Sequence, residues 1–199
     1  MGRSPPLKLC GLFALVVLAP CAAAHPGHGH GIGFAAGLAH PFSGIDHVLA
    51  MVAVGLLAVQ IGQRAIWLLP SAFIALMVAG GLLNLAGVHV PLVDQAIIAS
   101  VLILGLLIAG SAKLPLVMSA SLVGAFAIFH GYAHAGEMAA GQSPTTYAAG
   151  FVIASAVLHG VGISAGLSAQ RLASPSLLRF CGSAIALCGL LLLLGVIQG

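Results

Sequence analysis

The chain has 199 residues, of which 61% are hydrophobic and only 5% are charged. Its mean hydropathy of +1.19 lies far outside the range of soluble domains, in which about a quarter of the residues are charged. Six Lys and Arg against three Asp and Glu give a formal net charge of +3, which is too sparse for a basic face that binds nucleic acid. The composition predicts an all-α integral membrane protein whose surroundings are lipid.

Residues 1–24 are typical of a cleaved signal peptide. Arg3 and Lys8 precede an apolar run over residues 9–19, and small residues follow at 22–24. The run is well short of the roughly 20 residues that a helix needs to cross a bilayer, which disfavours an uncleaved first span. We therefore expect cleavage after the last of these small residues.

Cleavage there leaves a histidine-rich segment, residues 25–39, at the new N-terminus. Its histidines are His25, His28 and His30, and tracts of this kind bind metal ions weakly. We expect the segment to collect ions in the periplasm of a bacterium. The remainder, residues 40–199, is predicted to form one transmembrane domain.

Six apolar stretches follow the signal peptide, and each is long enough to cross a membrane as a helix. They cover approximately residues 41–61, 65–86, 92–111, 114–134, 145–168 and 177–198. The breaks between them are short, so no soluble domain interrupts the bundle. The sequence predicts six transmembrane helices, with the mature N-terminus and the C-terminus both in the periplasm.

The basic residues favour this orientation in the bacterial inner membrane. Four of them follow the signal peptide, and the six-helix topology places all four at cytoplasmic loops or helix ends: Arg64, Lys113, Arg171 and Arg179. The opposite loops carry no Lys or Arg. An excess of Lys and Arg on the cytoplasmic side is the usual determinant of membrane orientation.

Glycine spacing predicts close packing between helices. Gly105 with Ala109, and Gly162 with Gly166, repeat small residues at intervals of four along two of the predicted helices. Such small-xxx-small pairs let helix backbones approach closely inside a membrane. We assign these residues no chemical role.

The fourth predicted helix carries three titratable side chains on one stripe. His130, His134 and Glu137 are spaced four and three residues apart, so they share a face. Two imidazoles one turn apart can chelate a single ion, and ionisable groups inside a bilayer are expensive and usually functional. The stripe predicts a metal-binding or proton-handling role, with Glu137 as a ligand or as a partner that orients one.

The first predicted helix begins with a second polar string. His40 and His47 are seven residues apart, and a regular helix would separate them by about 10 Å. They can bind one ion only if the chain bends between them, as Pro41 and Gly44 permit. Asp46 is expected to ligate the ion or to orient an imidazole. The alternative is that His40 is an interfacial residue and Asp46 caps the helix.

The depth of each polar side chain in the membrane predicts which of them lie close together. The first helix enters and the fourth leaves on the same side, so both strings lie at one level near the periplasmic face. His159, on the fifth helix, is deeper and is interpreted as the next station on an inward path, or else as a core histidine bonded to a backbone carbonyl. Near the outer ends of helices two and three, His89 and Asp94 are interpreted as ordinary interface residues.

Together the two strings resemble the signature motifs of the HupE/UreJ family. These strings are His40-x5-Asp46-His47 followed by Leu49-Ala50-Met51, and Phe129-His130-Gly131-Tyr132-Ala133-His134 leading to Glu137. Ala135 departs from the glycine expected there. Members of this family are small membrane proteins found with hydrogenase or urease genes and regarded as permeases for nickel and, in some cases, cobalt. The resemblance implies that the functional positions are His40, Asp46, His47, His130, His134 and Glu137.

The residues predict secondary uptake of a divalent transition metal ion, without enzymatic activity or a prosthetic group, and the resemblance implies nickel first and cobalt next. No Gly-x4-Gly-Lys-Ser/Thr string is present, so the chain itself is not expected to hydrolyse a nucleotide. Imidazole ligands must be deprotonated to bind, so binding should weaken below about pH 6.5. Two alternatives stay open: a membrane metalloenzyme and a haem-binding cytochrome that pairs His47 or His130 with His159. Homo-oligomerisation also stays open.

Overall fold

A computed structural model of the protein describes residues 33–172 and 174–199, and the predicted signal peptide and the histidines at 25, 28 and 30 lie outside them. Within the described residues the chain forms seven α-helices, one short 3-10 helix and no strand. In chain order these are α1 (Phe34–Ala39), the 3-10 helix (His40–Phe42), α2 (Ile45–Ile61), α3 (Gln63–Leu85), α4 (Val93–Ala109), α5 (Leu116–Gly136), α6 (Pro144–Arg171) and α7 (Pro175–Leu193). The predicted all-α class is confirmed.

Four of these helices, α3, α5, α6 and α7, are long and apolar enough to cross a membrane. The segment from α1 through α2 meets the same criterion, but it is bent by 83° at a break between the 3-10 helix and α2. With 17 residues, α4 is shorter. Each of the six predicted segments therefore corresponds to one long helix, and four or five of these helices qualify as spans. The chain is built as a multi-pass membrane protein.

Two of the predicted segments end two or more residues beyond the last residue of the corresponding helix. Residues 92–111 were expected to be helical as a whole, but α4 ends at Ala109, and residues 177–198 continue beyond the end of α7 at Leu193. Gly195 adopts a positive φ of 67°, which ends the helical geometry although the residues around it are apolar. Hydropathy reports burial in lipid and does not mark such a turn.

Helix α2 lies at the centre of the bundle. All its residues from Asp46 to Val59 are buried, and it packs against α3, α4, α5, α6 and α7. A helix that is apolar on all sides is expected to be enclosed by other helices. The polar side chains at its first turn, Asp46 and His47, are therefore inside the bundle.

The surrounding helices present apolar side chains outward. Trp67, Leu82, Val117 and Phe180 have 61–79% of their surface exposed. An exposed apolar surface that encircles a helical bundle is suited to lipid. The outward faces agree with the membrane assignment made from composition.

Glycines allow the closest contacts between helices, as their spacing predicts. Gly162 of α6 lies against the backbone of Val52, and Gly105 of α4 lies against the backbone of Ala186. Gly131 of α5 lies in the same way against Met77 of α3. A Cβ atom at any of these glycines would overlap the facing backbone. The contact at Gly131 positions the histidine that precedes it.

Antiparallel neighbours bring the start of α2, the end of α5 and the start of α6 to one end of the bundle, which we call the histidine end. The basic residues of the described part of the chain lie at the other end, where α3, α5 and α7 begin and α4 and α6 end. There Arg179 donates a hydrogen bond from Nε to the carbonyl oxygen of Ala109 at 3.1 Å. The Lys and Arg residues are thus separated from the histidine end along the bundle axis.

Candidate metal centre

The chain turns sharply before α2, at the residues that the sequence indicates would permit a bend. Gly44 is extended, with φ −116° and ψ 129°, and the helical segments on either side of the break are 83° apart. Helix α1 packs against α6, which anchors the segment across the histidine end. The bend brings the ring of His40 to a centroid distance of 4.9 Å from that of His134.

Three histidines from two helices converge inside the bundle: His47 of α2 with His130 and His134 of α5. One ring nitrogen from each can be chosen so that all three atoms lie within 4.8 Å of one another. All three residues are buried, with relative exposures of 9%, 0% and 3%. We call these three residues the buried group.

Asp46 determines which nitrogen His47 offers. His47 Nδ1 donates to Asp46 Oδ1 at 2.5 Å, and the backbone N–H of His47 donates to the same oxygen at 2.7 Å. The proton of the neutral imidazole is therefore on Nδ1, which leaves the lone pair on Nε2. That Nε2 atom is buried and has no hydrogen-bond partner. Of the two predicted roles for Asp46, orientation of an imidazole is the one that this contact supports.

Ser100 of α4 performs the same task for His130, and its role was not foreseen from the sequence. Its hydroxyl donates to the carbonyl oxygen of Ile97 at 2.6 Å, so its only proton is already used. The contact of 3.1 Å between Ser100 Oγ and His130 Nε2 must then be donated by the imidazole. The lone pair of His130 is left on Nδ1, which is buried and unpaired.

His134 differs from the other two because neither of its nitrogens has a hydrogen-bond partner. Its ring packs against Phe151, with centroids 4.1 Å apart, and it lies 4.2 Å from the ring of His47. Leaving two buried polar atoms unpaired costs free energy. Groups left this way need an explanation, and coordination of an ion supplies one.

A second set of ligands shares His134 and lies closer to the surface. His40, His134 and Glu137 also offer three atoms within 4.8 Å of one another, and we call them the rim group. His40 Nε2 donates to Glu137 Oε2 at 2.7 Å. This hydrogen bond lowers the pKa of Glu137 in spite of partial burial, so the carboxylate is ionised at neutral pH.

A partly open cavity of about 290 Å³ is lined by the whole rim group and by His47 of the buried group, whereas His130 is not part of its lining. Its polar lining consists mainly of His40, Asp46, His47, Asp94, His134 and Glu137. The chain has only three acidic residues, and all three line this cavity. Asp94, which the sequence suggests is an ordinary interface residue, belongs to this lining. An acid in the first turn of an otherwise apolar helix was the available signal.

His159 lies apart from both groups, near the middle of α6. It is 1% exposed, and both its ring nitrogens are unpaired. Its ring contacts Phe73 with centroids 5.0 Å apart, and Phe73 in turn contacts His130 at 5.6 Å. Phe73 therefore bridges the buried group and His159. A phenylalanine in an apolar helix gives no sign of this in the sequence.

Comparisons with known proteins agree with the resemblance found in the two motifs. The family model described as HupE / UreJ protein matches residues 13–192. The chain is 44% identical over 190 residues to Protein HupE of Rhizobium leguminosarum bv. viciae, an alignment that covers 94% of this chain and 98% of that protein. No solved structure matches the chain. On this evidence the chain belongs to the HupE/UreJ family.

Proposed function

We propose that this protein carries a divalent transition metal ion, nickel first and cobalt second, across the bacterial inner membrane into the cell. The observation that supports this most strongly is the buried group. Three imidazoles with unpaired nitrogens converge on one point inside a bundle of apolar helices. Ionisable groups at such a depth are expensive and usually functional.

The donor set suits ions such as Ni²⁺ and Co²⁺. Neutral imidazole nitrogens with a nearby carboxylate are preferred by borderline divalent ions, and Asp46 and Ser100 orient two of the rings by accepting their second N–H. A haem would need two histidines on opposite sides of a plane. Three ligands that surround one point favour a single ion instead.

The cavity supplies the electrostatic attraction. All three acidic residues of the chain line it, and the pKa of Glu137 is lowered by its hydrogen bond with His40. A cavity lined by carboxylates and walled by apolar helices raises the local concentration of cations. The N-terminal histidines His25, His28 and His30 are proposed to add weak capture in front of it.

The orientation of the helical bundle in the membrane determines the direction of transport. We infer that the end carrying Arg64, Lys113, Arg171 and Arg179 faces the cytoplasm and that the histidine end faces the periplasm. This requires α4 to cross, and its 17 residues are at the lower limit of about 17–25 for a span. The mature chain then crosses six times, with both termini in the periplasm.

Membrane potential is sufficient as the driving force. A divalent cation moving inward gains about 4.6 kcal/mol per 100 mV, since each charge gains about 2.3. That free energy corresponds to more than a thousandfold accumulation. The ion would pass from the buried group along Phe73 to His159, the next buried imidazole toward the other end.

Uptake of radiolabelled nickel by right-side-out membrane vesicles tests this function. We expect accumulation with the unchanged protein and loss of at least nine-tenths of it, by rough estimate, with His47→Ala or His130→Ala, because each removes one of three ligands. His89→Ala, at an exposed loop position, serves as the control and should accumulate nickel normally. Wild-type uptake by both ligand variants would contradict the proposed function.

A further inference from the structure

The two ligand groups overlap in one residue, His134, and this overlap carries a mechanistic consequence. The rim group and the buried group each offer three ligand atoms within 4.8 Å of one another. We propose that they are two successive sites for one metal ion, which exchanges its other ligands while His134 remains bound. The inference rests on the proposed function and deepens it.

The two sites differ in chemistry and in access to water. The rim group combines two imidazoles with a carboxylate, and 56% of the Glu137 side chain is exposed. The buried group has three imidazoles and almost no exposed surface. A hydrated ion arriving from outside can therefore keep water ligands at the rim group, whereas binding in the buried group requires that it lose most of them. The rim group comes first.

His134 is close to the ligands of both groups, as a shared ligand must be. Its ring centroid is 4.9 Å from that of His40, in the rim group, and 4.2 Å from that of His47, in the buried group. Glu137 approaches the His134 Nδ1 atom at 3.8 Å, too far for a hydrogen bond. The ring is thus within reach of both sets of partners without being bonded to either.

The hydrogen-bond pattern separates His134 from its neighbours. His47 and His130 are each fixed by an acceptor that holds one ring proton in place, which commits them to the buried group. His134 has no such acceptor on either nitrogen. No hydrogen bond therefore fixes its tautomer, and either ring nitrogen can be the ligand, as serving two sites requires.

Sharing one ligand also limits occupancy. A neutral imidazole has one nitrogen lone pair and binds one ion. The two sites are therefore filled alternately, and the ion moves inward when it exchanges His40 and Glu137 for His47 and His130. At no point does it lose all its protein ligands inside the membrane, where complete release would be costly.

Equilibrium dialysis against Ni²⁺ alone, with full-length protein in detergent, tests this arrangement. In every sample His25, His28 and His30 are replaced by Asn, so that the N-terminal tract does not contribute. This background is compared with a rim variant (His40→Ala with Glu137→Gln), a buried variant (His47→Ala with His130→Ala) and His134→Ala. His89→Ala is the matched control, because it removes an exposed imidazole outside both groups.

We expect one tightly bound Ni²⁺ in the background, in the rim variant and in the buried variant. X-ray absorption should count three imidazoles in the rim variant but two imidazoles and a carboxylate in the buried variant. His134→Ala should weaken binding by about 100-fold or more, because it removes a ligand from both sites. Loss of a ligand should cost more affinity than loss of a residue that only orients a ligand. His89→Ala should match the background.

Two bound ions in the background, with one in each double variant, would establish independent sites and overturn the proposal. Loss of binding in both double variants would establish a single site and would overturn it as well. The number of ions bound by the background and by the two double variants decides between these arrangements. The test therefore does not depend on whether His134→Ala folds. If the dialysis gave the expected binding pattern but vesicles failed to take up nickel, the proposed transport would be contradicted. The inference that His134 is shared by two sites would still stand.

Discussion

At the scale of single residues, the chemistry of the site depends on which nitrogen each histidine offers. Asp46 accepts from His47 Nδ1 and leaves Nε2 free, whereas Ser100 accepts from His130 Nε2 and leaves Nδ1 free. Two rings on different helices thus approach the same point with different atoms. An orienting hydrogen bond typically contributes 10- to 100-fold in metal affinity, by rough estimate.

Ser100→Ala should therefore weaken nickel binding by about 10- to 100-fold, because His130 loses the acceptor that fixes its tautomer. Ser119→Ala is the matched control. Ser119 is equally buried, but its hydroxyl bonds only to the carbonyl oxygen of Pro115. Titration of the purified proteins with Ni²⁺ gives the two affinities. Equal affinities for Ser100→Ala and Ser119→Ala would show that Ser100 does not orient the ring.

Asp46 offers a graded version of the same test. Asp46→Ala removes the acceptor for His47 and should weaken nickel binding by about 10- to 100-fold. Asp46→Asn keeps an oxygen that can accept from the ring while it removes the negative charge, so its affinity should fall between that of Ala and that of the unchanged protein. If Asn bound no better than Ala, the charge of Asp46 would outweigh its hydrogen bonds.

At the scale of helices, close backbone contacts hold the ligands in position. Gly131 follows His130 and lies against the backbone of Met77, so that α3 and α5 approach closely just beside the site. Gly37 of α1 and Gly150 of α6 make a similar approach, which holds the bent segment that carries His40. Small residues at helix contacts are the usual means of such packing in membranes.

Gly131→Ala should destabilise the protein by about 1–3 kcal/mol, because the added methyl group overlaps the Met77 carbonyl and forces the helices apart. Gly160→Ala is the control. A Cβ atom there meets nothing within 4 Å, so alanine should be neutral or stabilise the helix by up to about 1 kcal/mol. Thermal unfolding in the same detergent compares the two. Equal melting temperatures would contradict the packing argument.

Much of the helical fold follows from the sequence, because every described long helix corresponds to one apolar run. The bend was also predictable, since Pro41 and Gly44 interrupt such a run. Other features were not. The six residues of α1 are too few to show a period, and Ser100 and Phe73 acquire their roles only from side chains on other helices. Propensity and hydropathy describe one segment at a time, so they do not report contacts between segments.

At the scale of the whole molecule, the described part of the chain has both ligand groups and the three acids at one end and the Lys and Arg residues at the other, with His159 between them. This polarity predicts that the α3–α4 loop containing His89 faces the periplasm and that Lys113, between α4 and α5, faces the cytoplasm. It also predicts that the short helix α4 crosses the membrane.

Cysteine labelling measures this orientation. In a background whose four native cysteines are replaced by serine, His89→Cys should react with a membrane-impermeant maleimide in intact spheroplasts. Lys113→Cys should react only after the membrane is opened. Labelling of both residues from the same side would contradict a crossing α4 and the six-helix topology.

Potential-driven uptake tests the central claim most directly, namely that the histidine end passes a divalent ion inward. The measurement is accumulation of radiolabelled Ni²⁺ in proteoliposomes with an imposed potential, negative inside, for the unchanged protein, His134→Ala and His89→Ala. For the unchanged protein and for His89→Ala, we predict that the ratio of internal to external Ni²⁺ at equilibrium rises by more than about a thousandfold per 100 mV. For His134→Ala we predict no accumulation. Accumulation that ignores the potential, or that survives the loss of His134, would contradict the account.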